Sequence, residues 1–436
     1  MIDRPNEGHG DGETANSAAR HNEGMPLLLR ATAPDRDARA FLRLFNLLSR
    51  RPVRSYSVRQ LRLFWKLLAS ALGRTTPAAT VTKHEIDGPA GPIDLTIFAP
   101  QLSERPLPAF IWCHGGGFLV GGPETSDSIC RAIALTSGAI VVAVRYRLAP
   151  EHGLRAGRED ILAALTWVAE NGATLGIDPT RLAIGGDSAG GNIAAAVAQQ
   201  TIRRGGPQLR LQVLAYPATE LVQEFPSKAE NAVGYMISSE ILEHIRQTLP
   251  AIIDAEHPWL SPRRSPDLHN LPPAVIVSAG FDPIRDDGLE YAARLRAADV
   301  PVELLHYAGQ FHGFLNFDAL IDAGRDALAR IGAALARALH DDIYDDRTIE
   351  VADARPSGAW DKGVDLANTM LMAWEAVGLW SETLPRLVSP RVGKLSGILT
   401  RPWFLPAALL RRTLVSGVDP RTARQTYPTK NAESAA

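Results

Sequence analysis

RLAIGGDSAGGNIAAAVAQQTIRR, residues 181–204, changes character in its middle. Arg181 to Gly186 is a short β-rich run, and from Ala189 onward small apolar residues open a helical stretch. The turn between them reads Gly186-Asp187-Ser188-Ala189-Gly190. A serine on a strand-to-helix turn sits in a strained backbone conformation with its neighbours pressed close. Glycines two positions either side remove the Cβ atoms that would collide. The helix that follows aims its N-terminal N–H groups and positive dipole end at the place where an oxyanion forms. A Gly-rich turn with a capping serine has the same letters and no chemistry, so the surroundings decide.

Outward from this turn the chain alternates. Further β-rich runs occupy 93–99, 108–113, 139–146, 211–217, 274–280 and 301–307, with helical stretches near 126–137, 157–171, 286–298 and 318–340. Strands alternating with helices predict an α/β fold whose central sheet is mainly parallel and covered by helices on both faces. Ligands of such sheets sit at the carboxyl ends of the strands, so residues just past strands are the ones to inspect. Residues 218–262 break the rhythm and are expected to form a cap or loop insertion over that edge.

Three more segments lie just past strands. His114-Gly115-Gly116-Gly117-Phe118 follows the run 108–113. Successive glycines let backbone N–H groups converge on one point, as a tetrahedral intermediate requires. Gly116 and Gly117 are the expected donors, with the N–H of Ala189 as third, and His114 is read as a structural hydrogen-bonder of the loop. A phosphate loop would need a GK[ST] or dinucleotide pattern, and neither follows. Serine needs a base and the base an orienting acid, in the chain order Ser, Asp or Glu, His. Asp282 follows the run 274–280 and His312 follows 301–307. Asp286 and Asp287 fall in the first turn of the next helix, where carboxylates are stabilised, which makes Asp282 the better acid. The expected catalytic set is therefore Ser188, Asp282 and His312.

Together these motifs resemble the hormone-sensitive-lipase family of esterases, the bacterial family IV. HGGGF at 114–118, YRLAPEH at 146–152, GDSAGG at 186–191, DPIRDDG at 282–288 and HGF at 312–314 carry the likeness, which covers roughly 90–340. The resemblance implies an α/β-hydrolase core, an N-terminal helical cap, hydrolysis of short- to medium-chain esters through an acyl-enzyme, and no cofactor. It also implies Ser188, Asp282 and His312 as triad, with Gly116, Gly117 and Ala189 as oxyanion hole. After YRLAPEH the family usually continues through a Pro-containing stretch, whereas this chain reads GLRAGRED. An amidase or deacetylase would use the same constellation, and a non-catalytic small-molecule receptor would be favoured only if a triad member were missing.

Composition bounds the rest. The chain has 436 residues, and 46 basic against 48 acidic residues give no global argument for nucleic acid. There is no metal-ligand spacing and no internal repeat. Two cysteines, a polar start without an apolar signal core, and no long apolar run lead to the expectation of a reduced, soluble, cytoplasmic protein. The expected partner is a small ester, and homo-oligomers are compatible with everything read so far.

The ends are less regular. Residues 1–25 read as disordered, 26–80 as an N-terminal helical cap, 81–340 as the catalytic domain and 341–436 as a C-terminal extension without strand rhythm. Between 26 and 74 there are eleven basic and two acidic residues. Phe45, Phe64 and Trp65 stand on apolar faces that need a partner. From 341 to 384 there are ten acidic and three basic residues, and from 385 to 436 two and nine. Prolines at 385, 390, 402 and 406 argue against one long helix there. Packing of the extension on the protein is favoured over a membrane surface, with its acidic opening meeting the basic N-terminal helices.

Overall fold

In the computed structural model the described residues are 28, 31–49, 51–74, 76, 80–100, 103, 105–250, 254–353, 361–388, 396, 400, 402–411, 413 and 421–427. The expectation of disorder at 1–25 lies outside them. Two helices come first, α1 (Arg36–Leu48) and α2 (Val58–Leu72). Ser57 and Gln60 form a reciprocal capping box that starts α2.

A ten-stranded sheet follows, in the order β1-β2-β4-β3-β5-β6-β7-β8-β9-β10. Its strands are β1 (Thr80–Gly88), β2 (Gly91–Ala99), β3 (Leu107–Cys113), β4 (Ile140–Val144), β5 (Ile177–Asp187), β6 (Leu209–Ala215), β7 (Ala274–Phe281), β8 (Val302–Phe311), β9 (Arg347–Asp353) and β10 (Arg421–Thr426). Every pair from β4 across to β9 is parallel, while β1, β2 and β10 are antiparallel to their neighbours. Between strands run α3 (Asp127–Ser137), α4 (Leu154–Asn171), α5 (Ala189–Arg204), α6 (Pro226–Glu230), α7 (Ser239–Thr248), α8 (Arg285–Ala297) and α9 (Asp322–Ala336).

The two faces of the sheet have separate cores because side chains alternate along each strand. On β3, Phe110 and Trp112 enter the core shared with α1, α2, α3 and α9. Ala109, Ile111 and Cys113 enter the one shared with α4, α5 and α8. Cys113 and Cys130 are both buried and unbridged.

The expected strands and helices are found, and the sheet is larger than the sequence rhythm indicated. The reading of 341–436 as strandless is corrected by β9, which pairs in parallel with β8, and by β10 beyond it. In β9 the only large apolar residues are Ile349 and Val351, set among charges, so two residues were too few to register as a strand. β1 was missed for a related reason, since most of it is exposed and only Ile86 is buried.

The extension also contains one long helix, which lies almost wholly ahead of the prolines that argued against one beyond 385. α10 (Asp361–Val388) carries Pro385 near its C-terminal end. Pro385 has no N–H for the carbonyl of Ser381, and the Ser396 hydroxyl donates to that carbonyl instead, at 2.8 Å. A second helix, α11, covers 402–411. The inner side of α10 packs on α1. Arg39 pairs with Asp365 at 3.1 Å, Arg43 reaches the same carboxylate at 3.7 Å, and Asn368 donates to the carbonyl of Arg36. Met372 is completely buried. The acidic opening and the basic N-terminal helix thus meet as their charges led one to expect.

Candidate active site

Strand register places the chemistry. Phe281 and Phe311 are partners at the ends of β7 and β8, so Asp282 and His312 leave the sheet side by side. Ser188 leaves β5 one strand beyond β6, and the glycine loop leaves β3 next to it, where Cys113 pairs with Gly186. Residues more than a hundred positions apart therefore converge on one sheet edge.

Ser188 has φ 56° and ψ −118°, a strained conformation for a residue with a side chain. The turn is pinned on both sides: the Ser188 N–H donates to Ala215 O at 2.9 Å and the Asn192 N–H to Ser188 O at 3.1 Å. Its glycines are there for space. A Cβ on Gly186 would lie 2.4 Å from the carbonyl oxygen of Cys113, and one on Gly190 only 2.0 Å from the same atom.

The Ser188 Oγ is 2.8 Å from His312 Nε2, and His312 Nδ1 is 2.8 Å from Asp282 Oδ2. An ionised carboxylate only accepts, so Nδ1 carries the proton and Nε2 is left to accept from the serine hydroxyl. The other Asp282 oxygen accepts from the Ile284 N–H at 2.8 Å, and the side chain is fully buried. Asp286 is engaged elsewhere, by Arg285 and the Ser227 N–H. Asp287 accepts from the Glu220 N–H, and burial holds its carboxyl well above the usual carboxylate range. Of the three aspartates, only Asp282 meets the histidine.

Gly116 and Gly117 have φ +126° and +60°, backbone conformations that a residue with a side chain rarely adopts. Among the described residues no acceptor takes the N–H of either. Ala189 opens α5, where the first N–H groups have no partner within the helix. The loop is held from behind by two groups. Asp187 Oδ1 accepts the Gly115 N–H at 2.7 Å, and Asn316 approaches the other oxygen at 3.5 Å. Burial pushes the Asp187 carboxyl up to about 6, against the pull of these hydrogen bonds. His114 stacks on Tyr146 at 4.2 Å, the Tyr146 hydroxyl donates to the His114 carbonyl, and burial lowers the imidazole to about 4. His114 is thus a neutral prop of the loop.

Two cavities flank Ser188. One, of 190 Å³, is almost wholly apolar: Phe45 from α1, Leu61, Trp65 and Leu68 from α2, and Ile241 and Ile245 from α7 line it. The other, of 470 Å³, is more polar and includes Glu220, Lys228 and Arg246 at its wall. Ile237 and Ile245 border both. The N-terminal helices and the 218–262 insertion therefore meet above the serine. Sequence reading missed Asp187 as a loop support, while α7 forms a cavity wall from within the 218–262 insertion expected over this edge. Asp187 stood in the GDSAGG motif all along, but the contact to Gly115 spans 72 positions.

The same architecture occurs in known proteins. The Abhydrolase_3 family, described as alpha/beta hydrolase fold, matches residues 110–316. The chain is 42% identical over 268 residues to esterase LipI of Mycobacterium tuberculosis, covering 61% of this chain and 84% of that protein. It is 44% identical over 252 residues to carboxylesterase NlhH of the same species, covering 57% and 79%. Among solved structures, a thermostable esterase from Pseudomonas putida superposes with a TM-score of 0.68 at 30% identity, over 72% of this chain and 99% of that one.

Proposed function

This chain belongs to the Abhydrolase_3 (hormone-sensitive-lipase type) family of α/β hydrolases and is a carboxylic ester hydrolase, and on that premise we propose that it cleaves short- to medium-chain esters through an acyl-enzyme on Ser188. His312 takes the serine proton as the hydroxyl attacks the ester carbonyl, and the N–H groups of Gly116, Gly117 and Ala189 receive the developing oxyanion. His312 then protonates the leaving alcohol. Water, activated by the same imidazole, attacks the acyl carbonyl and releases the acid. Asp282 keeps the ring in the right tautomer and stabilises the imidazolium. The observation that carries the reading is the pair of 2.8 Å contacts linking Ser188, His312 and Asp282 beside the glycine loop.

The acyl chain is assigned to the apolar cavity. At the ~30 Å³ that a water-sized group occupies, 190 Å³ takes about six heavy atoms, which suits a short or medium chain. The two N-terminal helices act as a cap that supplies much of that wall. The test is a p-nitrophenyl ester series of increasing acyl length with Ser188→Ala as the blank. Turnover should fall beyond medium chains, Trp65→Ala should move the optimum to longer ones, and Ser188→Ala should lose about a millionfold in kcat. Activity surviving in Ser188→Ala would refute the nucleophile. An optimum unchanged in Trp65→Ala would place the acyl chain in the other cavity.

A further inference from the structure

The buried side of the C-terminal extension is satisfied, but its outer side is not. On α10, Leu366, Met370, Trp374 and Val377 follow a helical spacing and are 51–63% exposed. From Gly363 to Ser381 the only charges are Asp365 and Glu375, and both are buried. The outer face of that stretch is therefore uncharged over about five turns. α11 adds Trp403, Leu405, Leu409 and Leu410, at 54–75% exposure. Its own charge, Arg411, is turned inward onto Glu375 at 2.7 Å and the carbonyl of Leu320 at 3.1 Å.

The two helices form one surface. The Trp374 indole N–H donates to the carbonyl of Trp403 at 3.3 Å, and its ring lies 5.3 Å from that of Phe404. Eight large apolar side chains on these two helices are each more than half exposed, and large contiguous apolar patches on a soluble protein mark sites of interaction.

We propose that the outer faces of α10 and α11 seat this protein on an anionic lipid surface. Charge selects the occupant. Residues 385–436 hold nine basic and two acidic residues. An anionic bilayer attracts such a segment, whereas a second copy seated with α11 against α11 would bring two like-charged segments together. Two tryptophans within an uncharged helical face suit the headgroup boundary. Among the described residues no helix is long and apolar enough to cross a membrane, so these helices lie along the surface. The preference against a bilayer drawn from the sequence rested on prolines breaking the segment beyond 385, and the uncharged face of α10 lies ahead of them.

The experiment is vesicle flotation of the full chain. Wild type should float with vesicles of phosphatidylcholine and phosphatidylglycerol, and at least tenfold less with phosphatidylcholine alone or at high salt. The double variant Trp374→Glu, Trp403→Glu should lose flotation at least tenfold while keeping its circular dichroism and its turnover of p-nitrophenyl butyrate in solution. Failure of the wild type to float on anionic vesicles would overturn the proposal. So would a stable wild-type dimer that the double variant dissolves, because a second copy would then cover the face.

Discussion

Replacing Gly116 by alanine isolates the proposed oxyanion loop from the proposed triad. A Cβ there would lie 2.2 Å from the carbonyl oxygen of Val120 and 2.7 Å from its carbon, on a backbone at φ +126°. Real Cβ contacts stay above 3.0 Å, so the loop must move by roughly 1 Å, and displacements of that size cost about a hundredfold in rate. The move cannot be local, because the N–H groups of Leu119 and Val120 both donate to Gly116 O. Loss of an oxyanion donor costs about a hundred- to a thousandfold, or ~3–4 kcal/mol. The expected result is therefore a kcat for p-nitrophenyl butyrate lower by about two to three orders of magnitude. KM should change little, since the donors act on the transition state. Gly117→Ala is the internal comparison. There the Cβ meets the tip of the flexible Ile245 side chain at 2.7 Å, with φ +60° in the ordinary left-handed region. Its cost should be about 1–2 kcal/mol of strain, and its kcat should fall much less. Equal losses in the two variants, or full kcat in Gly116→Ala with its fold intact, would refute the reasoning.

His312→Ala should cost about as much kcat as Ser188→Ala, and Asp282→Asn about ten-thousandfold, read from kcat on the same ester; full turnover in Asp282→Asn would transfer the role to another acid. Asp187 gives a pH prediction. Its carboxyl rises from 3.8 to about 6 on folding, so its contribution to stability is present below about pH 4 and is lost as pH rises through about 6. At pH 7 the loss is about 3 kcal/mol at ~1.4 kcal/mol per unit. Asp187→Asn keeps an acceptor for the Gly115 N–H and removes the charge, so its Tm relative to wild type should climb between pH 4 and 7; a flat difference would contradict the assignment. Truncation separates sheet from extension. A chain ending at 340 lacks β9 and leaves β8 as an open edge, so it should aggregate, while one ending at 353 should stay soluble and active with a lowered Tm. Equal solubility of the two would show β9 to be dispensable.

The proposed catalytic set was legible because each member sits within two residues of a strand end and inside a short motif dictated by sterics. Ser188 needs glycines at 186 and 190 whatever the rest of the chain does, and Gly116 and Gly117 follow from the need for inward amides. The alternation of β-rich and helical runs then specified the parallel sheet, which puts all strand ends of one polarity at one edge. What only the tertiary structure decided depends on partners distant in sequence. Asp282 was separable from Asp286 and Asp287 by helix position, but its partnership with His312 comes from the pairing of Phe281 with Phe311. The support of Gly115 by Asp187 and the cavity wall from α7 are likewise long-range contacts without a local pattern. β9 reads as a charged segment until β8 lies beside it, because two apolar residues make a strand only against a waiting edge. Pro385 argued against a long helix beyond it for a local reason and α10 ends at Val388, but only folding brought the Ser396 hydroxyl, eleven positions on, to the orphaned carbonyl. Short-range sterics and periodicity are written in the sequence, whereas burial and pairing are properties of neighbours that only folding brings together.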